Sequence, residues 1–225
     1  MDQGFRHEVK HVINSIDLLC IRSRLKVVAQ TDPHARNGSY FIRSLYFDSL
    51  DDRALREKRS GTDPREKFRI RLYNMDPGFI RLEKKTRRGQ LSRKDSALLT
   101  PREARAIAAG ETDWMADCDR PLLRELYVKM RCQGLRPKTV VDYTREPYIY
   151  APGDVRVTFD YDIRTGLHST DFLDPACITV PAGDAPIILE LKWGAFLPDI
   201  ILDAVTGPTL RPEAFSKYAQ SRLYG

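Results

Sequence analysis

KFRIRLYNMDPGFIRLEKKTRRGQLSRK, residues 67–94, is the stretch on which the fold turns. Read with a period of two, Lys67, Arg69, Arg71 and Tyr73 share one strand face, and Phe68, Ile70 and Leu72 share the other. Beyond the MDPG turn, Ile80, Leu82 and Lys84 alternate against Arg81, Glu83, Lys85 and Arg87. Pro and Gly in the connection predict an antiparallel hairpin with both charged faces on one side. Gln90 to Leu99 extends it as a third strand, in which Lys94 rather than Arg93 joins the basic face.

Outward from the hairpin, the same motif recurs. Phe5 to Ile13 sets Arg6, Glu8 and Lys10 on one face; Tyr40 to Asp48 is dense in aromatic and β-branched residues; Lys138 to Tyr150 points Tyr143 and Arg145 the same way. Val155 to Gly166 places Arg156, Thr158, Asp160 and Asp162 against an apolar face, and Ile187 to Trp193 carries Glu190 and Lys192. Helices are expected from Ser15 to Val28, with Ile16, Leu19, Cys20 and Leu25 as the buried stripe, and from Ser49 to Arg59. Others run from the Thr100–Glu103 capping box to Ala109, from Arg120 to Cys132, near Pro198 to Ala204, and from Glu213 to Leu223.

Among 225 residues, 42% are hydrophobic and 30% charged, which predicts a globular chain, read here as one domain over residues 1–225. A net charge of +6 favours an anionic partner. The four cysteines have no zinc-ligand spacing and are expected to be reduced and mostly buried. With no apolar run of membrane-span length and no leader-like N-terminus, the expected compartment is cytoplasmic.

Strands that are apolar on one face and carry Arg, Lys, Glu or Tyr on the other can form a half-buried sheet. They can also close into a barrel with the charges inside and helices packed outside. The second choice gives an α+β fold: an antiparallel barrel of about eight strands lined by Arg6, Glu8, Lys10, Arg69, Arg71, Glu83, Lys85, Lys94, Arg145, Asp160, Glu190 and Lys192. Such a cavity repels itself unless a polyanion fills it. Phosphate suits Arg forks and Lys point charges, and the interspersed carboxylates suit a divalent metal bridging phosphates. A nucleic-acid groove would want exposed aromatics and few carboxylates, so no nucleic-acid partner is expected. His7 and His11 face away from the lining and read as packing or surface residues.

Seven motifs in order, RHEVK (6–10), YFDS (46–49), KFRIRLY (67–73), LEKKT (82–86), YTREPY (143–148), LELKW (189–193) and FSKY (215–218), resemble the VTC domain. That is the polyphosphate polymerase domain of the vacuolar transporter chaperone family, a branch of the triphosphate tunnel metalloenzymes. The resemblance implies a tunnel barrel holding triphosphate or polyphosphate, with Lys10, Arg69, Arg71, Lys85, Lys94, Arg145 and Lys217 as catalytic phosphate ligands. Arg6, Tyr143, Lys192 and Ser216 join as substrate-binding residues; Glu190 is the implied main metal ligand, with Glu8, Glu83 and Asp160 as further candidates. Arginine at position 6 departs from the ExExK first-strand signature of the tunnel family's cyclase and thiamine triphosphatase branch, which argues against simple hydrolysis.

The implied activity is transfer of the ATP γ-phosphoryl group onto a polyphosphate chain with Mn²⁺ or Mg²⁺. The implied partners are ATP and polyphosphate or pyrophosphate, with a membrane-protein partner conceivable although the chain shows no membrane segment. The alternatives are hydrolysis of tripolyphosphate or a nucleoside triphosphate by the same fold, and a polyphosphate-binding module without turnover.

Overall fold

The computed structural model describes residues 6–35, 37–89, 91–184, 186–207 and 210–223. Phe5 and Gln90, where two strands were expected to begin, lie outside the described residues. The strands are β1 (Arg6–Ile13), β2 (Gln30–Thr31), β3 (Tyr40–Asp48), β4 (Arg65–Tyr73), β5 (Ile80–Arg88), β6 (Leu91–Leu99), β7 (Arg136–Tyr150), β8 (Val155–Thr165), β9 (Val180–Pro181) and β10 (Ile187–Trp193). They hydrogen-bond in the order β2-β7-β3-β4-β5-β6-β1-β10-β8-β9, and a further β7–β8 pairing closes the ring. Omitting the two-residue strands β2 and β9, the ring is an eight-stranded antiparallel barrel, so its main strands leave no edge exposed.

Alternation decides what each side of the wall touches. On the outside, Phe68, Ile70, Leu72, Ile80 and Leu82 pack against α3 (Pro101–Ala109) and α4 (Pro121–Gln133) through Ile107, Leu123 and Leu126. A second cluster joins Val155, Val157, Phe159, Leu189 and Leu191 to α1 (Ser15–Val28) and α5 (Asp199–Val205). A third, inside the wall, includes Ile42, Tyr46, Val141, Tyr143 and Ile188 and takes Tyr218 from α6 (Lys217–Ser221). Among the described residues, no helix is long and apolar enough to cross a membrane.

Local signals account for most boundaries. Thr100 and Glu103 form the expected capping box, with Pro101 opening α3. In α1, Asn14 caps as expected, but the buried residues are Leu18, Ile21 and Leu25, while Ile16, Leu19 and Cys20 face outward. The helix carries two apolar stripes, and its rotation is fixed by Arg22, which forks onto Glu146 at 2.7 and 2.9 Å, and by Arg24, which donates to the Thr206 carbonyl.

Four further expectations change. The helix after β3, α2, begins at Arg53 rather than Ser49, because Asp48 at the strand end accepts from the Ala54 and Leu55 amides and takes over the capping role. The closing helix is five residues rather than eleven, since residues 213–216 run across the barrel with the Glu213 amide bonded to the Lys10 carbonyl. The β4–β5 connection covers residues 74–79, with Asn74 and Met75 at positive φ. Cys20 and Cys132 are exposed, and Cys118 and Cys177 are half-buried.

Candidate functional site

Strand register sets the charges inside the barrel side by side. Across β1 and β10, Glu8 pairs with Lys192 and Lys10 with Glu190; across β7 and β8, Arg145 pairs with Asp160; across β4 and β5, Arg69 pairs with Glu83. Other rows break this opposite-charge pattern. Lys67, Lys85 and Lys94 stand abreast on β4, β5 and β6, Arg65 faces Arg87, Arg71 faces Arg81, and Lys192 faces Arg156. Like charges directly opposite one another in a sheet are destabilising. The sequence therefore holds an arrangement that an anion would relieve.

Side-chain contacts divide the lining into three groups. In the first, Glu83, only 1% exposed, is clamped by Arg69 at 2.7 Å, Lys94 at 3.3 Å and Arg71 at 3.5 Å. Burial alone would raise its pKa, but Arg71, Arg69 and Lys94 hold it well below the carboxylate range. Arg71 also donates to the hydroxyls of Tyr143 at 3.1 Å and Tyr73 at 3.3 Å, and Arg69 to that of Tyr46 at 3.0 Å.

The second group centres on Asp160, which accepts a fork from Arg145 at 2.6 and 2.7 Å and a bond from Lys217. Burial opposes its charge, yet Arg145 and Lys217 bring its pKa down to about 2. Lys217 also lies 4.6 Å from the centre of the Tyr143 ring.

In the third group, Lys10 lies 3.4 Å from Glu8 and 3.3 Å from Glu190, Lys192 lies 3.0 Å from Glu190, and Lys85 bonds Glu8 at 2.6 Å. Burial and the neighbouring Glu190 both push Glu8 up, but Lys192, Lys10 and Lys85 outweigh them and hold it at about 2. Arg145 reaches Glu190 at 3.3 Å and so links the second and third groups.

These contacts test the fit of a divalent ion. Glu8 and Glu190 are two carboxylates converging on one Lys10 ammonium, the donor set with which Mg²⁺ or Mn²⁺ completes its shell from phosphate oxygens and water. Among the described residues, no group of three or more His, Cys, Asp or Glu could hold a metal by itself. Glu8 and Glu190 are the two residues that would hold such an ion. Glu83 and Asp160 fit less well, each being the one carboxylate of its own group.

Of the remaining expected residues, Ser216 caps α6 and its hydroxyl lies 3.1 Å from the Lys67 ammonium. Arg6 sits at the rim, 3.1 Å from Asp154, apart from the three groups. His7 stacks on Trp193 on the outer face.

Lys67 is the lining residue that sequence reasoning placed on the basic face without assigning it to the site. Among the described residues it has no carboxylate within ion-pair distance. Burial, with Lys10, Arg65 and Lys58 adding to it, pushes its pKa down to about 7. The sign follows: the penalty of burying its charge is present in full below pH 7 and fades as pH rises toward the unfolded value of about 10.4. A bound polyanion restores the charge. Burial pushes Lys85 down to about 7 as well, so tripolyphosphate binding near pH 8 should take up about two protons, read as a buffer-dependent calorimetric heat; the Lys67→Met variant should lose about one of them.

An eight-stranded barrel with helices outside and cations turned inward is a triphosphate tunnel. The VTC domain model matches residues 5–224, and the chain belongs to that family. It is thus a polyphosphate- or triphosphate-binding tunnel protein. Solved structures of similar outline include a candidate adenylate cyclase from Bacillus halodurans, 14% identical with TM-score 0.49, covering 87% of this chain and 83% of that one. Another is the PH1012 protein from Pyrococcus horikoshii, 16% identical with TM-score 0.48, covering 92% and 95%. No curated protein sequence matches the chain.

Proposed function

We propose that the chain is a polyphosphate polymerase acting inside the tunnel, with residues 1–225 as one catalytic domain. The observation that carries this reading is the abreast row Lys67–Lys85–Lys94, a cationic wall in which Lys85 and Lys94 each contact one carboxylate and Lys67, among the described residues, none, suited to a run of phosphates rather than to one. In the reaction, a terminal oxygen of the phosphate chain attacks the γ-phosphorus of ATP. The bond from that phosphorus to the β-bridging oxygen breaks, and ADP leaves with the electron pair. No protein nucleophile takes part.

Arg69, Arg71, Arg145 and Lys217 hold the donor phosphates, while Lys10, Lys85, Lys94 and Lys192 align the acceptor, so catalysis is positioning plus charge stabilisation. Tyr143 and Ser216 orient Arg71 and Lys67. Arg6 receives the chain at the rim. Glu190 and Glu8 would hold Mn²⁺ or Mg²⁺, which when bound neutralises charge on the phosphate oxygens. Glu83 and Asp160 serve as counter-ions that keep the arginines in place. The expected partners are ATP and polyphosphate or pyrophosphate in the cytoplasm.

Incubation with ATP and Mn²⁺, followed by gel separation and a free-phosphate assay, tests the reading. Polymer is expected; free phosphate alone would assign the tunnel to hydrolysis, and neither product would leave a binding module. Glu190→Gln should lower turnover about 100-fold or more and raise the Mn²⁺ concentration needed for half-maximal rate. An unchanged metal dependence would remove Glu190 from the metal site.

A further inference from the structure

A second basic concavity lies outside the tunnel. It has a volume of about 400 Å³ and is lined by Arg136, Pro137, Lys138, His168 and Arg222, none of which belongs to the three tunnel groups. Four of its five lining residues carry basic side chains. Asp52 is the carboxylate that both buried cations share, 2.7 Å from Lys138 and 3.2 Å from Arg222.

Arg222 is the informative member. Its side chain is 7% exposed, so it is more than nine-tenths buried, yet Nε and Nη1 have no hydrogen-bond partner among the described residues. Guanidinium stays charged at any physiological pH, so the site cannot relieve these orphan donors by losing a proton. Lys138, 12% exposed, adds a second confined cation, and one half-shared carboxylate cannot satisfy both. An oxyanion in the pocket offsets the unbalanced positive charge of Arg222, Lys138 and Arg136, because it brings several acceptor oxygens and negative charge to one point.

We propose that this pocket binds a phosphate group, separately from the tunnel and whatever reaction the tunnel carries. The chemistry required is a compact monoanionic or dianionic phosphate, supplied either as free orthophosphate or as the end of a phosphate chain. Arg222 is the C-cap of α6, and Ser216 and Lys217 at the other end of that helix contact Lys67 and Asp160 in the tunnel. A phosphate on Arg222 therefore sits on the helix that closes the tunnel wall.

His168 provides a local reporter, since the chain has only four histidines and a His168→Gln variant assigns its imidazole signals. The protein is titrated with orthophosphate at constant ionic strength, with chloride as the exchanged anion, while those signals are followed by NMR. A saturable His168 shift is expected, chloride alone should not produce it, and Arg136→Ala and Lys138→Gln should each weaken it about tenfold or more. Arg136 is exposed, so its loss leaves the fold intact even where an Arg222 substitution would not. The shift should persist in Arg71→Glu, whose lesion is confined to the tunnel. Tighter binding of tripolyphosphate than of orthophosphate assigns the site to chain ends, and equal binding assigns it to free phosphate. Absence of a saturable shift, indifference to both pocket substitutions, or loss of the shift in Arg71→Glu would each overturn the proposal.

Discussion

Arg71→Glu should lose tripolyphosphate affinity by about a thousandfold or more, equivalent to ~4 kcal/mol, while the barrel remains folded. In the native lining, Arg69, Arg71 and Lys94 face the single carboxylate Glu83. Reversal leaves two carboxylates facing two cations, a locally neutral set that still satisfies Arg69 and Lys94. The cationic surplus that attracts phosphate is gone. A unit charge 4 Å away is worth about 4 kcal/mol at an effective dielectric of 20, and the substitution changes the local charge by two units. Calorimetric titration measures the loss, and circular dichroism reports the fold. Near-native affinity in the folded variant would contradict binding at these residues.

Glu83→Gln should act in the opposite sense on the two quantities. Removing one partner from a buried ion cluster costs about 3–5 kcal/mol, here because three cations lose their common counter-ion. The ligand-free variant should melt well below the native protein, and tripolyphosphate should close much of that gap by replacing the lost charge. Because the Glu83 pKa is depressed in the folded state, its contribution is present above the ordinary carboxylate pKa of about 4.3 and is lost as pH falls further. The difference between variant and native protein should accordingly shrink in acid. If Glu83 were a metal ligand instead, the variant would lose metal-dependent binding and gain nothing from the anion alone.

The hairpin of residues 67–94 was legible because a strand reports its two faces at every second residue. That period placed Lys67, Arg69, Arg71, Glu83, Lys85 and Lys94 together, and the register joins them in the same rows. Alternation alone says nothing of which face is inside. The clue was chemical: carboxylates such as Glu83, Glu190 and Asp160 recur among cations on the polar faces, which suits a closed interior better than a solvated one. Helices were less legible. Ile16, Leu19 and Cys20 form as good an apolar stripe as Leu18, Ile21 and Leu25, and long-range contacts with the barrel wall and α5, together with those of Arg22 and Arg24, decide between them. Similarly, Ser216 and Lys217 reach the tunnel because a five-residue helix packs across its wall, a placement that no local pattern encodes. Arg222 carried no signal at all, since its significance lies in two donors left without partners in the folded chain.

A crystal structure of the protein with tripolyphosphate and Mn²⁺, with the metal located by its anomalous scattering, tests the central claim most directly. Phosphates inside the barrel in contact with Arg71 and Arg145, and an Mn²⁺ peak beside Glu190 and Glu8, are predicted. Phosphates bound only outside the barrel, with the interior ion pairs intact at saturating ligand, would contradict it.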